Sequence, residues 1–130
     1  MSYGTSLALQ KAVFSALAGV VQAPVYDALP AGQLPSLYVL LGPEDVTARG
    51  DSTGEGARHD FVVSVVSDGA GFAAAKGVAV AVSDVLMDAD FVLERGTLSA
   101  VRLLKASARR LDGGALRQID LRFRALTDDF

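Results

Sequence analysis

A chain of 130 residues with a formal charge of −3 has room for one domain and a real core, but not for two. It contains no cysteine, which excludes a disulfide framework, a thiolate zinc site and a catalytic thiol. Apolar residues make up 51% of the sequence and mean hydropathy is +0.35, much of it from alanine and valine. Such a composition leaves apolar surface over after folding and suits an oligomer. No apolar run approaches the ~20 residues that cross a bilayer. Met1 to Gly4 lacks the basic stretch and apolar core of a secretory signal, so cytoplasmic synthesis and no membrane contact are expected.

The charge is divided. Between Arg95 and Arg124 the balance is +6, and over the rest of the chain it is −9. Such a division fits either a solvated, salt-bridged strand face or a polar molecule whose basic surface meets an acidic neighbour.

Thr5 or Ser6 is placed to cap a first helix ending near Gly19. Its apolar face runs through Leu9, Ala12, Val13, Ala16, Leu17 and Val20 at helical spacing. Val25 to Pro30 reads as a turn-rich connection. The apolar run Leu37 to Leu41 is too short for a buried helix and reads as a strand, stopped by Gly42-Pro43. Glu44 to Arg49 reads as a short extended arm, and Gly50 to Gly56 as a mobile loop of small polar residues. A strand follows from about Arg58 to Ser67, with Phe61, Val63 and Val65 on one face. The second helix spans about Gly71 to Met87, with Phe72, Ala75, Ala79, Val82 and Leu86 as its buried stripe. Its alanine and glycine let another backbone approach closely.

The last third reads as a hairpin: Leu98 to Leu111, a turn at Asp112-Gly113-Gly114, and Leu116 to Leu126. Ile119, Leu121, Phe123 and Ala125 alternate with Gln118, Asp120, Arg122 and Arg124, which gives the sheet one buried and one wet face. The expectation is an α+β fold: a mainly antiparallel sheet of four to five strands with two helices on one face, in the order α-β-β-α-β-β.

Catalytic signatures are missing. His59 is the only histidine, and its place at a strand entry beside Asp60 reads as a surface or strand-end residue. No HxxxH, HExxH or DxDxDG pattern occurs. Gly50-Asp51-Ser52 resembles the nucleophile block of GDS-type esterases, but no histidine follows His59 to act as base, and a hydrolase built on Ser52 is a remote alternative. The same loop lacks the Gly-Lys-Ser/Thr of a phosphate cradle. The adjacent acids Glu44/Asp45, Asp88/Asp90 and Asp128/Asp129 read as solvated turn residues with ordinary pKa values. The basic segment has no interleaved aromatics beyond Phe123, which argues against specific nucleic-acid binding. No catalytic residue, metal or cofactor is expected.

The order of segments carries a resemblance. Leu9-Gln10-Lys11-Ala12-Val13 is followed by Val25-Tyr26-Asp27-Ala28-Leu29-Pro30, then Pro35 to Gly42 and an acidic Gly-rich loop. Phe61 to Asp68, a small-residue helix and a basic hairpin complete the series. Over nearly its whole length the chain is similar to the tail-completion proteins of long-tailed bacteriophages and gene transfer agents. It departs from them at Val66, where related sequences often have tryptophan. The resemblance implies a tail terminator: six copies in a ring at the head-proximal end of the tail tube, stopping polymerisation and meeting the head-side connector, with the genome passing through the lumen. It implies no catalytic residues. Arg102, Arg109, Arg122 and Arg124, with Asp51 and Glu55 of the acidic loop, are the candidate interface residues. The alternatives are a head-closure or adaptor protein of the connector, and a small dimeric domain holding an apolar ligand.

Overall fold

The computed structural model describes residues 1–49, 54–69 and 71–129. Helix α1 spans Ser6–Ala18 and buries Leu9, Val13 and Leu17, the centre of the expected stripe. Thr5 occupies the N-cap position but makes no side-chain cap, because its hydroxyl points into the protein interior. After Gly19 the chain turns, leaving Val20 exposed and putting Val21 in the core in its place.

The segment expected to be only a connection contains a short strand, β1 (Val25–Tyr26), parallel to β2 (Leu37–Ala48). Two residues suffice because Val39 N–H also donates to the Pro24 carbonyl and the Tyr26 and Tyr38 rings meet edge to face.

Gly42-Pro43 does not end β2. The pairing with β3 (Ala57–Ser67) shifts between Leu41 and Glu44, a bulge set opposite Val62, and then continues to Ala48. Proline has no N–H for the ladder, so the strand steps around it rather than stopping. A side chain at Gly42 would meet the Val62 carbonyl at 3.0 Å, so glycine permits the close approach. The bulge resets the alternation: Leu41 and Glu44 both face the helices. The expected extended arm is therefore the second half of β2.

Helix α2 (Ala73–Leu86) buries Ala75, Val78, Ala79, Val82 and Leu86. Strands β4 (Thr97–Leu111) and β5 (Leu116–Asp128) form the hairpin. Their turn is tight enough that Asp112, Gly113 and Gly114 all take positive φ. The sheet order is β1-β2-β3-β5-β4, antiparallel except for β1 with β2. The expected α+β architecture is present, with β1 as an added edge.

Both helices lie on one face of the sheet. α1 packs towards β1, and α2 over β3 and β5. Between helices and sheet, Leu9, Leu17, Val63, Val82, Leu86 and Phe123 are almost completely removed from solvent. Each such side chain contributes about 1.5–3 kcal/mol of hydrophobic stabilisation. Phe61 and Phe123, directly opposite on β3 and β5, stack with centroids 5.6 Å apart.

Candidate interaction surface

The hairpin decides where the basic residues go. In β4 the register shifts between Leu103 and Lys105, so that Leu104 is the extra residue of a bulge. Before it Arg102 stands opposite Arg124, and after it Lys105 stands opposite Arg122 and Arg109 opposite Gln118. Arg122 and Arg124 lie two apart on β5, so all of these project from the face away from the helices. Without the bulge Lys105 and Arg109 would lie on the helix side. The structure thus gathers Arg102, Arg109, Arg122 and Arg124 on one surface, with Lys105 added by a register shift that strand alternation alone does not reveal.

Two of the candidate arginines have carboxylate partners within the chain. Arg124 donates Nε and Nη2 hydrogen bonds to the two oxygens of Asp60, at 2.8 and 3.1 Å. Those bonds, with the charges of Arg124, Arg58 and Arg122, hold the Asp60 carboxyl below its usual range against a lesser opposing effect of burial. Arg109 pairs with Asp120 at 3.1 Å. Arg102, Lys105 and Arg122 are exposed and make no ion pair among the described residues. Of the acidic candidates, Glu55 is exposed and lies 3.8 Å from the Met1 amino group. Asp51, like Ser52, lies outside the described residues.

Three like-charged pairs therefore stand directly across the hairpin: Arg102/Arg124, Lys105/Arg122 and Arg110/Arg117. Like charges in directly opposed positions oppose strand pairing. The third pair lies on the helix side, beyond the N-terminal end of α2. There Arg110, Arg117 and Lys76 all approach the ring of Phe72, at 5.6–5.8 Å from its centroid. Arg117 also donates to the carbonyls of Gly69 and Gly114, while its Nε is buried with no hydrogen-bond partner.

The other polar feature is internal, and it corrects the reading of His59 as a surface residue. His59 has no exposure at all. It faces inward because Phe61, Val63 and Val65 do, two, four and six residues along the same strand. Its Nε2 lies 2.9 Å from Thr127 Oγ1 and 3.3 Å from Thr5 Oγ1, and the two hydroxyls share a 2.8 Å hydrogen bond. Its Nδ1 lies 3.4 Å from Glu44 Oε2 without the alignment of a hydrogen bond. Glu44 also accepts from the Ser6 hydroxyl at 2.7 Å. Burial would raise the Glu44 carboxyl, but His59 and Ser6 together overcome it, so the pKa is lowered rather than ordinary as expected from a solvated turn.

Carboxylate, imidazole and hydroxyl in series have the composition of a nucleophilic triad. Thr5, His59 and Thr127 are fully enclosed, however, and no substrate reaches them in this conformation. The array ties the start of α1 to the ends of β2, β3 and β5. The sequence signal that could have located it is the bulge dipeptide Gly42-Pro43, which turns Glu44 inward.

Among the described residues no cluster of potential metal ligands occurs and no helix is long and apolar enough to cross a membrane. What the fold and its surface define is a small α+β domain with a basic outer sheet face at the β4–β5 hairpin. Comparison with known proteins gives that class a family. The family model described as Tail completion protein gp17 matches residues 7–128, and the chain belongs to that family. A solved structure described as the virion of a native gene transfer agent particle contains a chain with 51% identity and a TM-score of 0.88. The match covers 98% of this chain and 99% of that one. Comparison with curated proteins returned no match.

Proposed function

We propose that this protein completes the tail of a phage-like particle of the gene transfer agent kind. Its copies form a ring on the head-proximal end of the tail tube, which ends tube growth and offers a docking surface to the head-side connector. DNA passes through the lumen without being read. The role is structural, with no catalytic step. The protein is made in the bacterial cytoplasm and enters the particle at the head–tail junction.

Family membership and the likeness to a virion component support the particle role. The single structural observation that carries the contact role is the set of like-charged pairs across the hairpin, three of them in one strand pair. A sheet under no demand but its own stability does better with opposite charges in those positions. An acidic partner surface turns the same arrangement into complementarity, which steers encounter and fixes register. Arg102, Lys105 and Arg122 supply the basic side of that contact, and Asp51 and Glu55 supply acidic groups for the contact with the tube or the connector.

The test is to image particles made without this protein. Tails of uncontrolled length, separate from heads, are expected. Tails of normal length joined to filled heads would overturn the proposal, and normal-length tails detached from heads would move the chain to the connector.

A further inference from the structure

The helix side of the sheet is only partly covered. α2 lies over β3 and β5, and the far half of β4 extends beyond it with Ala106 and Ala108 exposed. Between α2 and this bare strand runs an open groove of about 330 Å³. Ile119 and Leu121 form its floor, and Val80, Leu103, Ala106 and Ala108 its walls. Val80 is 58% exposed, in a helix position that a monomer gains nothing by making apolar.

A second apolar surface lies elsewhere on the molecule. On α1, Leu7 is 63% exposed and Phe14 36%. Seven residues apart, they stand two turns from each other on one side of the helix. α1 packs towards the β1 edge of the sheet, and the groove opens at the β4 edge. The two apolar surfaces therefore lie towards opposite edges of the subunit.

Their borders differ in charge. At the N-terminal end of α2 the groove is rimmed by Lys76, with Arg110 and Arg117 beside it around Phe72. None of these three makes an ion pair among the described residues. The α1 surface is bordered by Asp27 and Glu94, of which Glu94 is held by Lys11 and exposed Asp27 has no ion-pair partner among the described residues. Groove against groove sets cations against cations, whereas groove against α1 surface sets cations against a carboxylate. A contact between two different patches repeats around a rotation axis and closes into a ring.

We propose that the α2–β4 groove is the seat for the α1 surface of a second copy of this chain, with Phe14 and Leu7 entering it and Asp27 meeting the Lys76–Arg110–Arg117 cluster. The proposal rests on the ring reading and names the surfaces that make the ring.

The chain has no cysteine, so the introduced thiols are the only ones each copy carries. In assembled particles, Phe14→Cys and Val80→Cys combined on one chain are expected to give a ladder of disulfide-linked multimers on oxidation. Each substitution alone is expected to give none. Dimers from either single variant would show a same-patch contact and overturn the proposal. So would the absence of a ladder in particles whose tails have normal length, which would leave the terminator role standing. As a check free of thiols, Asp27→Lys is expected to cut incorporation at least tenfold, and Lys76→Asp with Arg110→Asp in the same chain to restore it. Incorporation unchanged by Asp27→Lys, or not restored by the compensating pair, would equally refute it.

Discussion

Thr127→Val isolates the internal polar array, because valine keeps the shape and removes only the hydroxyl. The Thr127 hydroxyl bonds both Thr5 Oγ1, at 2.8 Å, and His59 Nε2, at 2.9 Å, with all three side chains sealed from water. After the change those two groups keep only their mutual 3.3 Å contact. An intramolecular hydrogen bond is worth about 1 kcal/mol net, and an orphaned buried polar group costs about 1–3 kcal/mol. The variant should lose about 2–3 kcal/mol. With a urea dependence of about 2 kcal/mol per molar for a domain of this size, the unfolding midpoint should fall by about 1 M at unchanged slope. Adding Thr5→Val should cost less than the same change made alone, since its best partner is already gone. A midpoint within ~0.2 M of the parent protein would refute the reasoning and mean that the array contributes nothing to stability.

The acid limb of stability should depend on Glu44. Its folded pKa is lowered, so its contribution is fully present above the unfolded carboxylate value and is lost as pH falls through the folded one. Glu44→Gln should flatten that decline, which melting curves across acidic pH would show; a decline of the same steepness would contradict the assignment. On the outer face, Arg102→Glu and Arg122→Glu should hold or slightly raise the melting temperature while impairing particle assembly, because each replaces a like-charged cross-strand pair with an opposite-charged one. Arg124→Glu should lower the melting temperature as well, since it breaks two hydrogen bonds to Asp60 and sets carboxylate against carboxylate. Equal melting effects of Arg122→Glu and Arg124→Glu would remove the distinction.

Wherever alternation or helical spacing held unbroken, the sequence sufficed. The inward row Ile119, Leu121, Phe123 and Ala125, and the stripe through Ala75, Ala79, Val82 and Leu86, lie where their spacing places them. Irregular pairing defeated it. Gly42-Pro43 reads as a stop because proline cannot continue a ladder, yet a bulge of those two residues lets the strand resume. His59 was misplaced because its inward position depends on which way β3 faces the helices and on partners 54 and 68 residues away. The basic surface was legible as composition, but its assembly on one face was not. No local signal marks Leu104 as the residue that falls out of step.

Leu104, like Ser99 before it, resets the phase of β4. Between the two the outward positions, Ala100 and Arg102, are even-numbered, and beyond Leu104 they are odd. Removing Leu104 would join Leu103, which faces the helices, directly to Lys105, which faces away, so every pair from Lys105/Arg122 to Leu111/Leu116 would stay as it is. The basic face and the groove-side alanines survive that deletion, because the residue lost is the one the partner strand does not count. A second residue inserted at the same place would turn Lys105 and Arg109 towards the groove and Ala106 and Ala108 outwards. Chain length at this point is therefore tolerant of loss and intolerant of gain.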